Sequence, residues 1–524
     1  MAQKLINIRI LYTLVLLISI ISASSCRNDF ETTESTGNLE FSRDTVYLDT
    51  VFTNIGSSTF NLKVYNRSDD AISIPSVQLG NGENSNYRLN VDGVPGRVFE
   101  NVEILAKDSI FIFIETTLDI NQVGDGNNEF LYTDVIEFNS AGAQQRVALV
   151  TLVKDAIFLF PERDGATGII ETLDVNGVET SIEGRYLLDD ELIFTNEKPY
   201  VVYGYVAVGD PENGTAKTLT IDAGARIHFH ADSGLLIADN ATLAINGSLS
   251  ADQEALENEV ILESDRLETV FSEVPGQWGT ILLTDGSVNN TINYATIKNA
   301  TVGILNESNT DTGIANLTLS NTQIYNASAV GLLNRFSNVN AFNTIINNCG
   351  QFSMLIQLGG SYDFTHCTFA NYWTGSFRNT PSVFLDNSLT ASETLFVGDL
   401  TSANFTNCII YGNQENEIGF NKEEGALFNY KFSNTQLRFD DIFGNFENDP
   451  LYDFSNTGTY ENVIRGGDPD FLNPELNKLQ VGENTSGNNL GLPAGAIEYP
   501  LDLIGTTRSN SPDFGAYESI IFPD

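Results

Sequence analysis

Asn293-Tyr-Ala-Thr-Ile-Lys-Asn299 decides the fold, because the chain writes its pattern again and again. A small residue is followed two places later by an apolar one, and two places after that by Asn. Ala295/Ile297/Asn299, Thr322/Ile324/Asn326, Thr344/Ile346/Asn348 and Cys367/Phe369/Asn371 fit, as does Cys408/Ile410/Gly412 with Gly in the last place. Three positions before each start stands Ile292, Leu319, Ala341, Phe364 or Phe405. The starts lie 27, 22, 23 and 41 residues apart. Intervals of this size are turns of a stacked β solenoid, the longest being two short turns or one with a long loop; propeller blades repeat at roughly 40–50 residues. Strands in such a stack sit about 4.8 Å apart, so like residues pile on like into inward columns. Asn at a corner tolerates the left-handed conformation, and a ladder of Asn side chains hydrogen-bonds along the stack, so these Asn positions read as structural rather than as a sugar-binding row.

Working outward, short strands broken by Gly, Asp and Asn continue the rhythm upstream, at 218–224, 225–230, 234–237 and 242–249. Residues 38–155 show a different pattern. Thr45-Val-Tyr-Leu-Asp-Thr-Val-Phe52, Phe60-Asn-Leu-Lys-Val-Tyr65, Ser109-Ile-Phe-Ile-Phe-Ile-Glu115 and Gln145-Arg-Val-Ala-Leu-Val-Thr-Leu-Val153 alternate apolar and polar positions between turn residues, as a β-sandwich requires.

Composition agrees. Of 524 residues, 41% are hydrophobic and 18% charged, too apolar for disorder, while 43 Gly against 2 Met favours strands and turns over helices. The formal net charge of -43 excludes a nucleic-acid partner through phosphate repulsion.

At the N-terminus, Lys4 and Arg9 precede an apolar run from Ile10 to Ile21, followed by Ser22-Ala-Ser-Ser-Cys26. That is an export signal, and its apolar run falls short of the ~20 residues of a membrane span. Cys26 resembles the lipidated cysteine of bacterial lipoproteins, with Ala23 in place of the usual Leu, and residues 26–37 read as a tether. An acidic body is repelled by anionic headgroups, so only acyl chains are expected to hold it to the membrane. Cys349, Cys367 and Cys408 include no C-x-x-C and read as small buried hydrophobes.

Further motifs carry a resemblance: Pro199-Tyr-Val-Val-Tyr-Gly204, Leu219-Thr-Ile-Asp-Ala-Gly-Ala-Arg-Ile-His-Phe-His230, Pro275-Gly-Gln-Trp-Gly279, Cys367-Thr-Phe-Ala-Asn-Tyr-Trp373, Asn407-Cys-Ile-Ile-Tyr-Gly412 and Pro512-Asp-Phe-Gly-Ala-Tyr-Glu518. With the register above, residues 195–520 resemble the right-handed parallel β-helix lipoproteins of Bacteroidota, related in fold to pectate lyases. Residues 38–155 resemble the immunoglobulin-like domains of bacterial surface proteins. The expected class is all-β: a signal peptide (1–25), a tether (26–37), an immunoglobulin-like β-sandwich (38–155), a connecting segment (156–197), a right-handed parallel β-helix (198–465) and a C-terminal cap (466–524). Asp44-Thr45, Asp49-Thr50 and Asp108-Ser109 resemble the O-glycosylation sequon of these bacteria.

Chemistry is sparser. A polysaccharide lyase needs a basic residue at the sugar C5 proton, yet Lys298 is the only Lys between residues 218 and 420; it falls out of phase with the inward alternation and is expected to be solvated. A glycoside hydrolase needs convergent carboxylates. Asp440-Asp441 lacks a histidine partner, and Asp363 and Asp386 could share a groove. His228 and His230 project from one face of a strand with no third ligand evident, so no metal site and no cofactor is expected. Tyr372, Trp373 and Arg378 form the candidate ligand site, in which an aromatic and a cation would grip a sugar. No catalytic residue is assigned. The expected function is that of a monomeric, lipid-anchored outer-membrane protein, periplasmic or surface-facing, that binds or scaffolds polysaccharide without catalysis; the alternative is a β-helix polysaccharide lyase or glycoside hydrolase.

Overall fold

The computed structural model describes residues 31–124, 126–309 and 314–522. The expected signal peptide and Cys26 lie outside them. Among the described residues the regular structure is nearly all strand, with long parallel sheets and two short α-helices, Ile120–Val123 and Pro493–Glu498. No described helix is long and apolar enough to cross a membrane. The chain divides into two units at Lys154/Asp155.

The first unit holds two sheets around one core. Strands Thr45–Phe52, Ile72–Leu79, Glu129–Ser140 and Ala143–Lys154 belong to one sheet; Phe60–Tyr65, Tyr87–Val91 and Ser109–Thr116 belong to the other. Period-2 alternation sorts the faces: Ile110, Ile112 and Ile114 are buried while Phe111 and Phe113 stay exposed. Thr45, Thr50 and Ser109 are each half-buried strand residues.

In the second unit the sequence register becomes physical contact. Ile297 pairs with Ile324, Ile324 with Ile346, Ile346 with Phe369, and Phe369 with Ile410, all in parallel strands. The column runs back through Leu262 and Ile227 to Tyr200 and on to Leu437. A second column joins Phe194, Ile221, Ile245, Ile292, Leu319, Ala341, Phe364, Phe405, Phe432 and Tyr460. Its last members are rings, with Phe364 and Phe405 centroids 5.0 Å apart and Phe405 and Phe432 4.7 Å. Both columns lie in one buried core, the main hydrophobic driving force of the unit. The 41-residue interval is a single turn, because Thr368 pairs directly with Ile409; the extra length is a loop carrying the antiparallel ribbon Ser388–Ala391/Thr394–Val397.

Corners are held by Asn, in two rows. Asn299, Asn326 and Asn348 have φ of 67°, 58° and 54°. The Asn326 amide donates to Asn299 at 3.3 Å and the Asn348 amide to Asn326 at 2.5 Å. Asn371 departs from the row: it lies within a strand, and its side chain accepts from the Cys349 N–H at 3.1 Å. A second left-handed row, Tyr294, Asn321, Asn343, His366, Asn407, Asn434 and Asn462, stands one residue before the repeat starts and was hidden in the sequence because two members are not Asn.

Two boundaries differ from the sequence expectation. Residues 156–197 are not a connecting segment: Ile157–Leu159 pairs with Tyr200–Val202, and Val178–Tyr186 pairs with Tyr205–Val208, so stacking begins some forty residues earlier. An antiparallel hairpin, Thr172–Val175 with Val178–Tyr186, interrupts the rhythm there and masks it. Residues 466–522 do not cap the last turn. They run along the flank, where the Asn347 amide donates to Pro474 O at 2.8 Å, the Asn343 amide to Leu501 O at 2.9 Å and the Asn434 amide to Leu490 O at 2.6 Å. Leu479, Val481, Leu503, Phe514 and Tyr517 cover the outward Ile345, Ala370 and Ile409. Phe446, Tyr452 and Phe454 pack instead against the far end of the core.

Candidate functional site

A groove of about 790 Å³ forms where two long strands bend. In Val330–Phe342 the pairing register shifts between Arg335 and Ser337, where Phe336 alone opposes Leu358 and Gly359 of the neighbouring strand, and Phe336 takes φ 45° with its ring half-exposed. In Phe352–Thr365 the bend falls on Leu358, Gly359 and Gly360, at φ 61°, 75° and 117°. The buried Tyr362 hydroxyl donates to Gly359 O at 2.8 Å and pins that bend. Beyond it, Val339, Ala341, Tyr362 and Phe364 point into the core, which turns Asn338, Asn340, Ser361 and Asp363 outward. Asn340 pairs with Asp363, and Asp363 with Asn404, whose amide donates to the Asp363 carboxylate at 2.7 Å.

Two further segments complete the walls. Asp399 and Thr401 come from the start of the next strand, and the Asp399 carboxylate accepts from the Leu427 N–H at 2.8 Å. Glu498 and Tyr499 come from the flank segment. The Tyr499 ring stacks on Phe342 at 4.0 Å, its hydroxyl donates to Glu498 at 3.0 Å, and burial pushes its phenol up to about 12. The groove therefore offers two aromatic rings, side-chain amides, hydroxyls and three carboxylates from separate parts of the chain. Sequence reasoning singled out Asp363 alone; Asp399, Glu498, Phe336 and Tyr499 carry no motif and meet only through the fold.

The candidate site at Tyr372, Trp373 and Arg378 is not an open grip. Arg378 makes a bidentate ion pair with Glu417, 2.9 and 2.7 Å, and also donates to Thr380 O, Asn371 O and the Asn413 side chain. Both ionic side chains are essentially out of solvent, at 1% and 0% exposure. Gly412 stands where the repeat has Asn because a Cβ there would collide with the Glu417 carboxylate. Trp373 is buried, its Nε1–H donating to Ser376 Oγ at 3.0 Å, and half-buried Tyr372 packs edge-on against Phe471. The trio fastens a loop to the flank.

Other candidates are also structural. Asp386 accepts from Ser388 and Asn421, and its strand pairs with the part of Phe352–Thr365 before the bend, so it does not share the groove with Asp363. Asp441 closes a turn through the Asn445 and Phe446 N–H groups. Lys298 points away from the core as expected but is not freely solvated, since Glu263 holds it at 3.0 Å and its side chain is 16% exposed. His228 is buried with Nδ1 3.1 Å from Ser264 O, whereas the exposed His230 pairs with Asp265 at 2.8 Å. Among the described residues no group of three or more His, Cys, Asp or Glu could hold a metal ion. His230 lines a second cavity of about 770 Å³ with Phe160, Arg163, Tyr203 and Tyr205.

His366 occupies the second corner row, fully buried. The Asn407 amide donates to its Nε2 at 3.1 Å, an amide oriented by Leu492, whose N–H donates to Asn407 Oδ1 and whose carbonyl accepts from Nδ2. Burial, and then the Arg508 guanidinium, hold its pKa well below 6.5, so the ring is neutral.

No protein family and no curated protein matches the chain. Among solved structures, the VesB protease of Vibrio cholerae aligns at 11% identity over 23% of this chain and 32% of its own, with a TM-score of 0.17. A family 123 glycoside hydrolase from Clostridium perfringens that acts on glycolipid glycans aligns at 9% over 27% and 26%, with a TM-score of 0.16. The chain thus spans about a third and a quarter of the length of these two. The Agl-KA catalytic domain aligns at 11% over 73% and 80%, with a TM-score of 0.17. Likenesses this slight identify neither a fold nor an activity.

Proposed function

We propose that this chain is a lipid-anchored protein of the cell envelope that binds polysaccharide without turning it over. In this reading Cys26 carries the acyl anchor, residues 38–155 form an immunoglobulin-like spacer, and the stacked unit is a right-handed parallel β-helix that presents the groove as a monomer. The observation that carries it is the groove itself. Phe336 and Tyr499 line it together with Asn338, Asn340, Ser361 and Thr401, a set of side chains suited to stacking on a sugar face while bonding its hydroxyls.

A second reading is favoured by one observation. Asp363, Asp399 and Glu498 line the same groove, and convergent carboxylates are what a glycoside hydrolase requires. Incubating the full-length protein with a glycan panel, followed by reducing-end and ultraviolet assays and by affinity electrophoresis, separates the two. Retarded migration with no product supports binding. Released sugar supports hydrolysis, and neither retardation nor product with any glycan contradicts both.

A further inference from the structure

The lining of the groove is lopsided in charge. Asp363, Asp399 and Glu498 contribute three carboxylates, and among the described residues no Lys, Arg or His lines it. The partners these carboxylates have are neutral: the Asn404 amide, the Leu427 N–H and the Tyr499 hydroxyl. Basic side chains nearby are committed elsewhere. Lys431, on the strand beyond Asn404, is held by Glu461 at 2.7 Å, and Arg335, next to Phe336, is held by Glu307 at 2.7 Å. The chain as a whole adds a formal charge of -43 behind them.

Resting on the carbohydrate reading above, we infer that the groove selects its glycan by charge, taking chains whose sugars present hydroxyl or amino groups and rejecting uronate-bearing and sulfated ones. A carboxylate only accepts hydrogen bonds. A sugar hydroxyl donates to it, and an ammonium donates while cancelling charge, which makes the bond stronger. A uronate brings a further acceptor and a further negative charge into a concave site whose walls already repel it, and the field of an acidic protein lowers the local concentration of such a chain before contact.

The test uses the full-length protein in isothermal titration with three oligosaccharide series of equal length: neutral β-linked glucans, chitosan oligomers and oligogalacturonates, each at low and high salt. Oligogalacturonates are expected to bind at least about 10-fold more weakly than the neutral series at low salt, and the gap is expected to narrow as salt screens the repulsion. Chitosan binding is expected to weaken with salt. In the D363N/D399N/E498Q variant the same gap is expected to shrink to within about 3-fold. If that variant fails to fold, the salt series on the unaltered protein decides alone. Oligogalacturonates binding as tightly as neutral glucans at low salt would overturn the selection and leave the carbohydrate reading standing. Binding of none of the three would overturn both.

Discussion

Arg378 and Glu417 form a bidentate ion pair, Nη2 to Oε1 at 2.7 Å, sealed from solvent 39 residues apart in the sequence. Taking two charges out of water is costly, and it is offset here by further hydrogen bonds from the two Nη groups to Thr380, Asn371 and Asn413, while Nε is left without a partner. Arg378→Ala strands the Glu417 carboxylate and is expected to destabilise the second unit by about 3–5 kcal/mol. Urea unfolding measures this. A cost below about 1 kcal/mol would show that the pair is not buried as described.

His366 predicts a pH dependence with a definite sign. An unfolded histidine takes up a proton near 6.5, whereas the buried ring, already accepting from Asn407, resists it. The resulting stability is fully present above pH 6.5 and is lost as pH falls below it, at about 1.4 kcal/mol per unit. His366→Asn installs the residue found at Asn343 and Asn407 in the same row, where φ is 47° and 54°. Unfolding free energies measured across the acid range are expected to fall less steeply for the variant by that slope. Parallel curves would contradict a neutral buried ring.

Phe336 separates fold from binding. A non-glycine residue in the left-handed region costs roughly 1–2 kcal/mol, and its exposed ring recovers little by burial. Phe336→Gly is expected to leave stability unchanged or raise it by about 1 kcal/mol, while glycan affinity drops about 3- to 10-fold through loss of a stacking surface. Thermal unfolding and affinity electrophoresis on one preparation read both. Unchanged affinity would remove Phe336 from the site.

Cys349, Cys367 and Cys408 are buried and unpaired, and burial pushes the Cys349 thiol up to about 12 and Cys408 well above its ordinary value. Since all three side chains are shielded from solvent, none of them is expected to react with a thiol reagent until the protein unfolds. Peptide mass mapping after native and denatured labelling checks this, and native labelling of any of them would contradict the packing.

The sequence disclosed most where the repeat is regular. Ile297, Ile324, Ile346 and Phe369 were legible as a column because one side chain per turn must fill the same inward slot. Stacking before Tyr200 was hidden by the hairpin at Thr172–Tyr186, which breaks the period. The flank segment looked like a cap because its Gly-, Pro- and Asp-rich turns match either role, and only hydrogen bonds to corner Asn residues distant in sequence reveal its path. The site was read least well. Trp373 and Arg378 suggested a sugar grip by type and proximity, but the partner that consumes Arg378 is remote. Asp363, Asp399 and Glu498 converge across more than a hundred residues with no spacing rule to announce them.

The most direct test of the account is a crystal structure of the protein soaked with the best-bound oligosaccharide from the panel. A sugar ring against Phe336 or Tyr499, with hydroxyls bonded to Asn340 and Asp363, is the expected result. A sugar seated instead in the cavity of Phe160, Tyr203 and His230, or against Trp373, would contradict it.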